Sequence, residues 1–129
     1  MKRLTEEERN IFENAIYLPM LLTILDRDLK VAQTAPFKLK QVYLNLIEHT
    51  MKQVQKDMRE NNTKMYKNKW KLLKGESDEA FTEYNFYING YHEVHRYFNY
   101  NLRNNTEKLL NYYFLQDKIK MPYSKEQGL

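Results

Sequence analysis

The sequence predicts an all-α protein, an antiparallel bundle of three or four long helices, on three observations. Three glycines and three prolines in 129 residues leave little material for tight turns. Apolar residues recur at alternating steps of three and four along three segments, the spacing of one helix face. No stretch alternates apolar and polar residues with period two for long enough to predict a strand.

The first helix should start at Thr5. With Glu6, Glu7 and Glu8 behind it, Thr5 has the form of a capping box, and the acids sit where the helix dipole favours them. Ile11, Ala15, Leu18, Leu22, Leu25 and Leu29 then draw a seam to about Val31. Met20, Leu21 and Ile24 fall off that seam, so the middle of the helix is apolar nearly all round and is either central or part of a contact between chains. Pro19 removes the backbone bond to Ala15 and predicts a kink.

Thr34-Ala35-Pro36 supplies a cap and an early-helix proline for a second helix. Leu39, Val42, Tyr43, Leu46, Ile47, Met51, Val54, Met58 and Met65 share its face, and it could run from Pro36 to Leu73, about 55 Å. Asn61-Asn62-Thr63 is the expected break, which leaves open whether 36–73 is one helix or two. Lys74-Gly75 should close it, and Ser77-Asp78-Glu79 should open the third. There Phe81, Tyr84, Ile88, Tyr91, His95, Phe98 and Leu102 form an aromatic seam over three heptads. Leu102, Leu109, Leu110, Tyr113 and Phe114 make a last amphipathic stretch ending near Lys118.

These elements amount to one domain over residues 1–129, with 119–129 a flexible tail. The apolar run from Ala15 to Leu25 is too short for a membrane span, which needs roughly 20 residues. The N-terminus lacks the ordered parts of a secretory signal, so a cytoplasmic location is expected. Without cysteine there is no disulfide, thiolate metal site or thiol nucleophile.

Few residues point to chemistry. His92-Glu93-Val94-His95 would put two imidazoles one turn apart on a helix, near enough to share a metal, which makes His92 and His95 weak metal candidates. Their spacing of three is not that of a zincin motif, and no third ligand is drawn toward them. The competing reading is a hydrogen-bonded core His95. With two serines, no phosphate loop and no nucleophile motif, neither catalysis nor a cofactor is expected.

The formal charge of +4 is unevenly spread: residues 52–74 carry eight Lys or Arg against two acids. Within that block Lys64, Tyr66, Lys67, Lys69, Trp70 and Lys71 mix cations with aromatics, the two components of sequence-tolerant nucleic-acid binding. An unbroken helix would expose Trp70 among lysines, whereas a break at Asn61-Asn62 would turn it into the core. The chain has eleven tyrosines, most of them between Tyr84 and Tyr113, too many for one seam. Tyrosine offers rigid amphipathic contact area, so the leading expectation is a module that binds protein, itself or another. Met20, Leu21, Ile24, Tyr87 and Tyr97 are its candidate surface, with nucleic-acid binding and a metal-binding bundle as alternatives.

Ala15-Ile16-Tyr17-Leu18-Pro19-Met20-Leu21-Leu22, with Asp26-Arg27-Asp28, Lys38-Leu39-Lys40 and Tyr43-Leu44 downstream, resembles the YhjD-like small proteins of Gram-positive bacilli. The resemblance covers most of the chain. It implies a cytoplasmic bacterial protein and brings no activity, cofactor or catalytic residue to these positions.

Overall fold

The computed structural model describes residues 4–115 and corrects the all-α expectation: three helices and a three-stranded antiparallel sheet make a mixed α and β fold, not a helical bundle. The order is α1 (Glu6–Thr34), α2 (Lys40–Asn68), β1 (Lys71–Ser77), β2 (Phe81–Ile88), β3 (Tyr91–Phe98) and α3 (Asn99–Leu115). The expected tail 119–129 and the helix end near Lys118 lie outside the described residues.

The first helix starts as its sequence predicts. The Glu8 N–H donates to Thr5 Oγ1 and the Thr5 N–H to Glu8 Oε1, each at 3.0 Å. Pro19 lies inside α1, where the Thr23 hydroxyl donates to the Pro19 carbonyl at 3.1 Å. The helix stops where Ala35 turns extended (φ −73°, ψ 148°), the conformation that the following proline favours. Pro36 does not open α2, which begins at Lys40.

α2 also passes through 61–63 without a break. Asn61 is buried, and its amide donates to the Ile11 carbonyl at 2.9 Å while its Oδ1 accepts from Asn14 at 3.4 Å. Thr63 donates to the Arg59 carbonyl at 3.0 Å. Tertiary partners thus absorb the Asn61 amide, and the Thr63 hydroxyl bonds back to its own helix, so neither competes with the helix backbone. The true end comes at Lys69, left-handed at φ 59°, whose N–H returns to Met65 and Tyr66.

The expected third helix is the main correction. Phe81 to Phe98 folds as a hairpin in unbroken register from Phe81↔Phe98 to Ile88↔Tyr91. Both periods fit this stretch, and strand pairing wins for identifiable reasons. Asn89-Gly90 supplies two consecutive positive φ angles, 51° and 86°, the requirement of a two-residue hairpin turn. The segment is rich in aromatic and β-branched residues, which fit a pleated surface better than a helix. On β2 the buried residues are Thr82, Tyr84, Phe86 and Ile88; on β3 the inward residues are Tyr91, Glu93, His95 and Tyr97. Polar groups at inward positions, with Tyr87 and Phe98 outward, hide the alternation.

β1 completes the meander, so Lys74-Gly75 lies in a strand rather than closing a helix. A Cβ on Gly75 would stand 3.0 Å from the end of the Asn85 side chain and 3.4 Å from Glu83 Cβ, so the strands pass closely here. Asp78 forms the following turn, its Oδ1 accepting from the Ala80 and Phe81 N–H groups at 2.9 and 2.8 Å. Those donors hold its carboxyl below the usual carboxylate range. Asn99 joins β3 directly to α3: its amide donates to the Asp78 and Glu79 carbonyls and its Oδ1 accepts from Thr82.

Two core clusters result. The first gathers Ile11, Phe12, Ile16, Met65, Tyr84, Phe86, Ile88 and Leu102 from all three helices and the sheet. At its centre Phe12 is stacked on Phe86 at 4.5 Å and on Trp70 at 5.8 Å. The second joins Leu18, Leu21, Leu25, Val54 and Tyr113 of the helices alone. α3 crosses the α1–α2 hairpin near its middle: Asn105 donates to the Tyr17 hydroxyl at 3.0 Å, Thr106 to the Met20 sulfur at 3.4 Å, and Tyr113 to Asp57.

Candidate interaction surfaces

The described residues leave two surfaces unpartnered. The first is the distal half of the α1–α2 hairpin, from about Ile24 through the connecting turn to Ile47. The second core cluster reaches only to Leu25 and Ile47 in that direction, because α3 covers no more of the hairpin. Past that point, among the described residues, two helices pack on each other alone, and two helices can enclose only one line of contact. Ala32 and Thr50 are buried there, while Leu29, Leu44, Leu46 and Ile47 are half-buried. Ile24, Val31, Phe37, Leu39, Val42 and Tyr43 are exposed, Leu39 by 70 % and Val42 by 62 %. Phe37 of the turn stacks on Tyr43 of α2 at 4.5 Å, which ties the turn to the helix.

The second surface is the outer face of the sheet. Tyr87 and His92 form a cross-strand pair with nearly parallel rings 4.5 Å apart, Lys71 being the partner of Tyr87 on β1. Phe81 and Phe98 stack at 4.5 Å, and the Arg96 guanidinium lies 4.1 Å above the Phe81 ring and 3.7 Å from Glu83.

The sequence-derived candidates are redistributed over this framework. Met20 is half-buried under Thr106, and Leu21 is fully buried in the second core, so the off-seam residues of α1 mostly face α3 rather than another chain. Ile24 alone of the three stays exposed, at the start of the bare half. Tyr87 is exposed on the outer sheet face. Tyr97 points inward, its hydroxyl donating to Glu13 Oε2 at 3.1 Å. Burial and the Glu13 carboxylate push this phenol well above its ordinary pKa, as burial and Asp57 do for Tyr113.

His92 and His95 do not meet. They sit three apart on a strand, so they point to opposite faces, and the shared-metal geometry of a helix does not exist. His92 lies outside with Nε2 2.7 Å from Asn85 Oδ1. His95 lies inside, stacked on Phe86 at 4.0 Å with Nε2 2.9 Å from Glu93 Oε1. Among the described residues no group of three or more His, Asp or Glu side chains is placed to hold a metal ion.

The basic segment is split by the end of α2. Lys64 lines an open cleft of about 300 Å³ with Asp57, Glu60 and Tyr112. Tyr66, Lys67 and Lys69 are exposed around the helix end, and Lys71 is on the sheet. Trp70 is turned away from them, half-buried on Phe12 with its indole N–H donating to Asn89 Oδ1 at 3.1 Å. It is packed as the broken-helix reading required, but by the helix ending at Asn68 rather than by a break at Asn61.

With these surfaces described, comparison with known proteins adds the lineage. A family model described as YhjD protein matches residues 3–118. The chain belongs to the YhjD family. It is 42 % identical over 120 residues to the uncharacterized protein YhjD of Bacillus subtilis (strain 168), covering 92 % of this chain and the whole of that protein. No solved structure matches the chain. Among the described residues, no helix of this YhjD family member is long and apolar enough to cross a membrane.

The candidate surfaces include residues that sequence reasoning passed over. By spacing, Leu39, Val42 and Tyr43 share the apolar face of α2, and Val31 ends the seam of α1. The signal available in the sequence is that the apolar positions of the first two helices run along nearly their whole length. Arg96 and Phe98 gave no such signal, since their common face exists only once the strands are paired.

Proposed function

We propose that the protein is a protein-interaction module that self-associates through the distal half of its helical hairpin. One observation carries this: Ile24, Val31, Phe37, Leu39, Val42 and Tyr43 are all exposed on the part of the hairpin that α3 leaves bare. Their exposed surface is on the order of 600 Å², at the upper end for a monomer's largest apolar patch and most of the roughly 800 Å² that each partner contributes to a standard interface. The same stretch carries Asp26, Arg27, Asp28 and Lys30 on α1, with Asp26 and Lys30 paired at 3.2 Å, and Lys38 and Lys40 around the start of α2. A two-fold contact, in which each patch meets its own copy, can set the acids of one chain against the lysines of the other.

Sedimentation velocity over a micromolar dilution series tests the reading. A dimer that dissociates on dilution is expected, and the double variant Leu39→Asp, Val42→Asp should sediment as a monomer with an unchanged circular dichroism spectrum. A wild-type chain that is monomeric throughout the series, or a double variant that still dimerises, would overturn it.

A further inference from the structure

The outer face of the sheet carries a separate inference. The strand register arranges it in rows: Lys71, Tyr87 and His92; then Leu73, Asn85 and Val94; then Glu83 and Arg96, with Gly75 beside Glu83; then Phe81 and Phe98. None of these side chains enters either core cluster, and Leu73, Val94 and Phe98 are each about half exposed.

The two ends of this face differ in charge. At one end Glu76, Asp78 and Glu83 surround Arg96 along a cleft of about 350 Å³. At the other, Lys71 stands beside Tyr87, and Lys67 and Lys69 lie immediately before β1 at the end of α2. Among the described residues none of these three lysines is in an ion pair. The Tyr87 and His92 rings stack on each other, and both residues are exposed. This end therefore pairs uncompensated cations with aromatic faces, the chemistry that takes up phosphates and unpaired bases. A duplex would hide the base faces within its stack. An acidic peptide would satisfy the lysines and leave the aromatic pair unused.

We propose that the Lys71, Tyr87 and His92 row, with Lys67 and Lys69 beside it, binds single-stranded nucleic acid. A base stacks on the aromatic pair and the neighbouring phosphates lie on the lysines. Trp70 takes no part, since its ring is committed to Phe12 and its N–H to Asn89. Recognition is sequence-tolerant, because His92 Nε2 is engaged by Asn85 and stacking reads no base edge.

The test is fluorescence anisotropy of labelled oligo(dT) and oligo(U) titrated with the full chain at low and moderate salt, with a duplex of equal length as competitor. Binding that favours the single strand and weakens with salt is expected. Tyr87→Ala should weaken it about tenfold, whereas Tyr87→Phe, which keeps the ring, should stay within about twofold. Lys71→Gln should weaken binding and flatten its salt dependence. Circular dichroism of each variant separates lost contact from lost fold. No binding at low salt, equal affinity for duplex, or a folded Tyr87→Ala that binds as wild type would each overturn the proposal. So would a Tyr87→Ala variant that changes only the sedimentation of the protein, since the face would then belong to a protein contact.

Discussion

The base of the α1–α2 hairpin and its distal half are made from the same two helices, with apolar residues at similar spacing, and end in opposite conditions. At the base the sheet and α3 close over the hairpin, so Phe12, Ile16, Leu18 and Leu21 are buried from more than one side. In the distal half none of the described residues outside the two helices covers it, and residues of the same type are exposed. Apolar patterning therefore shows which face of a helix is to be covered. It does not say whether the chain covers that face itself or leaves it for a partner.

The largest effect that would sharpen this contrast is expected at the base. Phe86→Ala removes the ring between Phe12 and His95 and should cost about 3–5 kcal/mol, read from urea unfolding. A small effect would mean that the sheet is not part of the stabilising core. Asn61→Ala should cost about 1–2 kcal/mol, because the buried amide and its partners at Ile11 and Asn14 lose their hydrogen bonds. Gly90→Ala places a side chain at φ +86° and should cost about 1 kcal/mol, which a shift in thermal midpoint would register.

In the distal half the stability of the single chain should barely respond. Val42→Ser is expected to change monomer unfolding by no more than about 0.5 kcal/mol, while its dimer dissociates at higher concentration. A large loss of monomer stability would show that this half is covered within the chain after all.

Alkali separates the regions without mutation. Tyr97 and Tyr113 have folded pKa values raised above their ordinary 10.0, so the folded state favours their protonated forms. Their contribution is complete below pH 10 and is lost as pH rises above it. Both phenols lie at the base of the hairpin or on the sheet, so alkaline unfolding should begin there. Tyr97→Phe and Tyr113→Phe should each lessen the fall in stability above pH 10, measured by urea unfolding at a series of pH values.

Much of α1 was legible. Its capping box is a local hydrogen-bond exchange among residues three apart, and its apolar seam, read to about Val31, ends within three residues of the helix end at Thr34. The resemblance read from Ala15 to Leu22 and its downstream phrases led to the correct family. The hairpin has a sequence signal in Asn89-Gly90, which the sequence reading does not use, and inward polar groups hide the alternation of Phe81 to Phe98 behind a heptad pattern. A short aromatic segment with inward polar groups does not reveal its period by itself. The interaction residues were legible as apolar and not as exposed, since exposure depends on where α3 crosses.

Local chemistry by itself determined the start and stop of α1, the family and the position of the basic excess, because each depends on neighbours in sequence. Tertiary structure alone decided that α2 survives Asn61-Asn62-Thr63, through partners at Ile11 and Asn14 that lie about fifty residues away in the chain. It also decided that His92 and His95 part company and that Trp70 turns inward, because strand pairing and the left-handed Lys69 set those directions. The bare hairpin half belongs with these, since coverage depends on the length and path of a helix that begins sixty-five residues after α1 has ended.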